Sequence, residues 1–297
     1  MNKLNHTFCP LCKGSRIHSV MECTDYYATR ETFEVYHCDD CGFTFTQNAP
    51  GESEIGRYYE SPDYISHSDT RKGAMNTIYH WVRCMMLRRK ACLIENELHC
   101  KTGRLLDIGT GTGYFPHAMQ RRGWQVEAVE KNAAARDFAL KHFSLPVKED
   151  DALETFAARS FDVITLWHVM EHLEKLDEAW SVFERLLKED GVLVIAVPNC
   201  ASCDARIYGK EWAPYDVPRH LWHFTLDTMR AEGERHGFKL AAYYPMPFDA
   251  FYVSMLSEKN LKHSCPFVRG LWNGLRAYLH TVGHKELSSS IIYIFRK

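Results

Sequence analysis

Three glycines at alternate positions, in Leu105-Leu106-Asp107-Ile108-Gly109-Thr110-Gly111-Thr112-Gly113-Tyr114-Phe115, let a backbone turn sharply against a ligand without Cβ clashes. An apolar strand leads in and a helix leads out, so the helix N-terminus points at whatever the loop holds. Glu130 closes the next strand, 21 residues after Gly109, where a carboxylate can accept bonds from both hydroxyls of a ribose. Together these have the form of a nucleotide-cofactor loop. The dinucleotide fingerprint is an imperfect fit, because its last small residue falls on Tyr114. A glycine-rich turn with no ligand is the bland alternative.

A second constellation precedes it. Cys9-Pro-Leu-Cys12 and Cys38-Asp-Asp-Cys41-Gly42 are two C-x2-C knuckles separated by 25 residues, the spacing of a four-cysteine zinc site. Four thiolates close a tetrahedral coordination sphere, so the role is structural. A segment of about 40 residues builds too little core to fold alone, and zinc would supply much of its folding energy. Free or redox-active thiols are the alternative. Cys200-Ala-Ser-Cys203 has the same spacing but no partner pair and reads as incidental.

The elements that must position these residues alternate. Residues 1–48 form the cysteine module, with strands at Phe33–Cys38 and Gly42–Thr46. Residues 49–99 are a Tyr-rich connector and a helix carrying Ile78, Trp81, Val82, Met85, Leu93 and Leu98 as an apolar stripe. From residue 100 to 297, strands at Arg104–Ile108, Gln125–Val129, Leu145–Lys148, Phe161–Leu166 and Val192–Val197 are separated by helices, one of them from about Glu171 to Lys188. A helix at Leu226–His236 and a strand at Lys239–Tyr244 follow. Helices near Phe251–Glu258 and Val268–Val282 and a strand at Ser290–Phe295 complete the chain. Strands apolar on both faces and separated by helices predict an α/β domain with a parallel sheet covered on both sides.

The form Asp107-x-Gly109-x-Gly111-x-Gly113 resembles motif I of class I S-adenosylmethionine (SAM) methyltransferases. Glu149-Asp150-Asp151-Ala152 resembles the acidic, adenine-contacting position of that family, and Phe161–Leu173 resembles its fourth strand and following turn. Val197-Pro198-Asn199 with Asp216–Thr225 is similar to the bacterial subfamily related to ubiquinone-pathway methyltransferases. The resemblance covers about residues 58–245. It implies a Rossmann-like, doubly wound, seven-stranded, mostly parallel sheet whose last strand, Ser290–Phe295, is antiparallel. It also implies cofactor contacts at Asp107, Gly109, Thr110, Gly111, Gly113, Tyr114, Phe115, Glu130, Lys131, Asp151, Ala152 and His168, with SAM as cofactor.

Ligands of open α/β sheets sit at the carboxyl ends of strands. His168, Glu171 and His172 therefore lie near the sulfonium, and His220 and His223 line the acceptor side. A neutral imidazole suits removal of an acceptor proton, and His168 and His220 are the candidate bases, with a pocket-shaping role as the alternative. His168-Val-Met-Glu171-His172 also matches the inverted zinc-protease pattern, but a strand runs directly into His168 and leaves no helix to carry both histidines. In ubiquinone-pathway O-methyltransferases the residues matching Glu171 and His172 help to bind a divalent ion, although His168 stands where that family has an acid. Tyr58, Tyr59 and Tyr64 stand where such enzymes often place a lid.

With 297 residues, a net charge of −2 and 25% charged residues, the chain reads as one large soluble domain with a small appendage. Residues 1–50 carry four Lys/Arg against six Asp/Glu, which argues against nucleic acid as partner. No signal-peptide or membrane-span stretch is present, so a cytoplasmic location with no membrane contact is the expectation. The sequence thus predicts a cytoplasmic SAM-dependent methyltransferase with an N-terminal zinc ribbon. Its acceptor is a small molecule, a sugar intermediate or another hydroxylated metabolite, methylated on oxygen or carbon. A competing reading is an RNA or protein methyltransferase that docks through the ribbon, aided by Arg83, Arg88, Arg89 and Lys90. Another is a non-catalytic SAM-binding scaffold.

Overall fold

The computed structural model describes residues 3–60 and 74–297, with side chains from residue 82 onward in the first long helix. The N-terminal part contains β1 (Lys3–Leu4), β2 (Ile17–Thr24), β3 (Thr32–Cys38), β4 (Thr44–Thr46) and β5 (Ala49–Pro50), and α1 (Ala74–Leu98) follows. The next stretch runs β6 (Arg104–Ile108), α2 (Tyr114–Gln120), β7 (Gln125–Val129), α3 (Ala133–Phe143), α4 (Ala152–Thr155), β8 (Phe161–Trp167), α5 (Leu176–Leu186) and β9 (Leu187–Pro198). The remainder is α6 (Cys203–Tyr208), β10 (Trp222–His223), α7 (Leu226–Arg235), β11 (Lys239–Pro245), α8 (Asp249–Asn260), α9 (Pro266–Thr281) and β12 (Ser290–Arg296).

The central sheet has the order β11-β12-β9-β8-β6-β7. Strands β7, β6, β8 and β9 pair in parallel, while β12 runs antiparallel between β9 and β11, as the family resemblance implies. The expected strand Leu145–Lys148 shrinks to one parallel bridge between Val129 and Lys148, so six strands, not seven, stand in this sheet among the described residues. Pro146 explains the loss, since it has no N–H to donate to a ladder. Alternate residues of the central strands serve opposite faces. Leu193, Ile195 and Val197 of β9 pack with Ile291, Tyr293 and Phe295 of β12 in one core, and Val194 and Ala196 pack with Ile292 and Ile294 in the other. A sheet buried on both faces cannot show a period-two pattern of polarity, which is why these strands read as unbroken apolar runs.

The cysteine module forms its own sheet, of order β10-β4-β3-β2, and one of its strands comes from far along the chain. Trp222 pairs with Phe45 and His223 with Thr44. Phe43 stacks on Trp222 with centroids 6.0 Å apart, and it and Phe45 belong to the same core as Leu193 and Phe295. The ribbon expected at residues 1–48 is therefore built into the larger domain. Buried Arg219 ties the two further. It donates to Asp25 (2.9 Å) in the turn between β2 and β3, to the Tyr58 carbonyl (2.9 Å) and to Asp216.

Candidate functional site

The carboxyl ends of β6, β7 and β8 carry the loop, the acid and the first histidine. Asp107 is buried at the end of β6, opposite Thr165 of β8, whose hydroxyl donates to it at 2.5 Å. Burial pushes the Asp107 carboxyl up to about 6, against the pull of its hydroxyl donors. Gly109 and Gly113 both have left-handed backbone, and each is hemmed in. A Cβ on Gly109 would stand 2.5 Å from Val169 Cγ2, and one on Gly113 2.9 Å from the Ala139 Cβ. Gly111 faces open space instead, and its amide donates to Glu130 Oε2 at 2.7 Å. The other Glu130 oxygen accepts from the Asn132 amide at 2.9 Å. Each oxygen keeps a second acceptor site, the arrangement a ribose diol requires.

His168 follows β8 directly and has left-handed backbone, which turns its side chain into the site while its amide still bonds the Ala196 carbonyl of β9. Its two ring nitrogens face two carboxylates: Nδ1 lies 3.5 Å from Glu171 Oε1, and Nε2 lies 3.4 Å from Asp249 Oδ2. Burial alone would lower this imidazole, but Asp249 and Glu171 outweigh it and raise it to about 9. Burial likewise disfavours charge on Asp249, yet His168 holds that carboxyl below its ordinary value.

A second group lies beside it. The Glu171 carboxylate is buried, and among the described residues neither of its oxygens has a hydrogen bond. Donor atoms of Glu171, His172 and His220 all fall within 4.8 Å of one another. His220 has Nε2 3.8 Å from Asp216 Oδ2 and Nδ1 2.7 Å from the Pro214 carbonyl, which assigns a proton to Nδ1. His172 does the same with the Arg219 carbonyl at 3.0 Å. Burial first, and then His220, lower the His172 imidazole to about 4, so it is neutral. One buried carboxylate and two imidazoles form a donor set that suits a divalent cation. His223 points away, into the ribbon, and bonds Thr46 at 3.0 Å.

The four ribbon cysteines converge: Cys9, Cys12, Cys38 and Cys41 bring their sulfurs within 4.8 Å of one another. Cys9 to Cys41 and Cys12 to Cys38 are both 3.6 Å, close to the edge of a tetrahedron with metal–sulfur bonds of about 2.3 Å. Cys200 and Cys203 belong to no such group among the described residues.

Several expected site residues stand elsewhere. Phe115 packs edge-on against Trp167 in the core, and Tyr114 meets Phe143 edge-on and lies under the Arg83 guanidinium. Lys131 reaches out to Glu52, Asp151 is exposed at the start of α4, and Ala152 is half-buried. Thr110 is half-buried in the loop. Tyr58 is a buried anchor rather than a lid, bonded to Glu31 and Arg57, whereas the Tyr59 hydroxyl does reach His172 at 3.1 Å. Tyr64 lies outside the described residues. The helix expected from Glu171 begins only at Leu176, after a 3-10 turn at Met170–His172. The basic cluster on α1 is split: Lys90 turns in over Trp167 (4.0 Å) and Arg83 over Tyr114, leaving Arg88 and Arg89 exposed. Asp249 carries no motif, and only the fold brings it to His168.

This architecture, with an acid-flanked glycine loop at the strand ends, is that of a nucleoside-cofactor transferase. A family model described as a methyltransferase domain matches residues 80–243, and the chain belongs to this methyltransferase family. The ubiquinone biosynthesis O-methyltransferase of Rhodopseudomonas palustris is 28% identical over 165 residues, covering 52% of this chain and 64% of that protein. The mitochondrial enzyme of that name from Schizosaccharomyces pombe is 34% identical over 113 residues, covering 35% and 41%. The chain thus spans less than two thirds of the length of either relative. Among solved structures, one from Galdieria sulphuraria, provisionally named a sarcosine dimethylglycine methyltransferase, superposes with a TM-score of 0.50 at 16% identity, covering 72% of this chain and 84% of that one. At that identity the likeness speaks for the fold.

Proposed function

We propose that the protein transfers the methyl group of SAM to a hydroxyl of a small molecule, with a sugar intermediate or another hydroxylated metabolite as the preferred class. The observation that carries the reading is the pairing of an open, acid-flanked glycine loop with a cluster of histidines and carboxylates at the adjacent strand end. Glu130 holds the ribose hydroxyls, and the Gly109–Gly113 backbone makes room for the nucleoside. Asp107 holds the loop to β8 through Thr165.

The reaction is an in-line displacement. The acceptor oxygen forms a bond to the methyl carbon, the sulfur–carbon bond breaks, and its electron pair stays on sulfur. The acceptor proton passes to a base. His168 is held as an imidazolium by Asp249 and Glu171 below pH about 9. It stands beside the acceptor as a fixed positive charge, with both ring nitrogens turned to those carboxylates, and the base of the pair first expected is His220, through Nε2. Orientation supplies most of the acceleration, because the sulfonium already activates the carbon. Glu171, His172 and His220 fit a divalent cation, which would acidify a bound hydroxyl. Should it be present, His220 serves as its ligand instead. The four ribbon cysteines hold a structural zinc ion in this reading.

Label from isotopic SAM, incubated with a host extract and fractionated, is expected in the small-molecule or lipid-linked sugar fraction and is lost in Asp107→Ala. Label in RNA or protein would replace this reading with the macromolecular one. Tight calorimetric SAM binding with no transfer to any fraction would favour the scaffold. The inward turn of Lys90 and Arg83 weighs against the macromolecular alternative, because it removes half of the basic patch.

A further inference from the structure

Helix α9 buries only one side. Gly270, Gly274 and Ala277 face α8, and the two glycines let the backbones meet closely. A Cβ on Gly270 would stand 2.6 Å from the Met255 Cα, and one on Gly274 2.7 Å from the Phe251 Cα. The other side shows Phe267, Val268, Leu271, Trp272, Leu275 and Leu279 to solvent, with Trp272 71% and Val268 65% exposed. So much apolar surface on one helix face marks an interaction site rather than scattered surface hydrophobes. Trp272, Leu275 and Leu279 also line an open depression together with Arg276 and His280.

The charge around this face selects its occupant. Between Lys259 and Lys285 the chain has Lys259, Lys262, Arg269, Arg276 and Lys285, and no Asp or Glu. All five cations are exposed, and among the described residues only Arg269 has an ion pair, with Glu258. In a protein of net charge −2 this stretch is +5, leaving −7 for the rest. An aromatic and leucine face rimmed by cations is the composition of a helix lying in a lipid interface. Long basic side chains reach the headgroups while their stems stay against the apolar layer. A second copy is a poor occupant, because joining two such faces sets cation against cation, and Glu258, which flanks the stretch, is buried and already paired with Arg269. None of the described helices is long and apolar enough to cross a membrane, and a helix lying in the surface does not need to be.

We infer that the exposed face of α9 docks the protein on the surface of an anionic lipid bilayer. The inference does not depend on the proposed methyl transfer, since its test requires no turnover. Cosedimentation of the full chain with phosphatidylcholine vesicles, and with vesicles of equal phosphatidylcholine and phosphatidylglycerol, measures it. Partitioning should be at least about ten-fold stronger into the anionic vesicles, and Lys262→Gln and Arg276→Gln should each weaken it by about five-fold. Trp272→Ser combined with Leu279→Ser should abolish binding while SAM affinity, measured by calorimetry, stays unchanged and so reports an intact fold. Equal binding to both vesicle types would overturn the inference. So would absence of vesicle binding together with a dimer, seen by sedimentation equilibrium, that Trp272→Ser dissolves.

Discussion

Replacing Arg219 by Met should loosen the joint between the ribbon and the larger domain by an amount the structure sets. The guanidinium is fully buried and donates to two carboxylates, Asp25 and Asp216, and to the Tyr58 carbonyl. Asp25 accepts in addition from the amides of Tyr27, Ala28 and Thr29 and from the Thr29 hydroxyl, so it is locked in place and cannot swing to water when its cation is gone. Methionine fills much of the same volume but strands two carboxylates, and breaking one side of a buried ion pair costs about 3–5 kcal/mol. At about 2 °C per kcal/mol for a chain of this size, the melting midpoint should fall by roughly 6–10 °C. Asp216→Asn in the Arg219→Met background should then cost less than in the parent, with a coupling of about 1–3 kcal/mol. Thermal melts of the parent, the two single variants and the double variant give all four corners of the cycle. A midpoint drop below about 2 °C, or strict additivity, would refute the argument that this pair holds the joint.

The other expectations are shorter. Glu130→Gln keeps the shape but weakens a charge-assisted acceptor, and SAM affinity by calorimetry should fall about 10- to 100-fold, a loss of about 1.5–3 kcal/mol. Gly109→Ala should remove SAM binding, because its Cβ meets Val169 at a left-handed backbone position; adding Val169→Ala should restore only part, since the backbone strain stays. Chelation under reducing conditions should release one metal ion from the four ribbon thiols and lower the melting midpoint, and Cys38→Ser should copy the second effect. His168 is raised from its ordinary 6.5 to about 9, so its ion pairs stabilise the fold fully below pH about 6.5, and that contribution is lost as pH rises through about 9. Melts across that window should show a midpoint decline that His168→Gln lacks, modest because the side chain is a third exposed and partly screened by solvent.

How much of this was legible before the fold is best judged residue by residue. The loop, Asp107 and Glu130 were readable because their chemistry depends on spacing within one β-α-β unit. The two cysteine knuckles were readable for the same reason. Strand β12 was placed at the chain end by its apolar run. Strand β10 was not, because two residues carry no period, and its partner β4 lies about 180 residues earlier. Asp249 was invisible as a partner of His168, since nothing in its neighbourhood announces contact with a residue 81 positions away. The helix after β8 was placed too early because Glu171 and His172 are tolerated in a helix, while the fold uses them in a tight turn that faces the site.

The backbone exchange between β4 and β10 bears on how the acceptor side is held. Thr46 donates its amide to the Leu221 carbonyl and its hydroxyl to the His220 carbonyl, so the chain bearing His220 is laid on the ribbon as on a template. The donor side needs no such template, because its loop is closed by its own acid, Glu130. Cutting the ribbon away would take both Thr46 donors from these carbonyls, so a chain without residues 1–48 is expected to lose the placement of His220 and not only a metal-binding module.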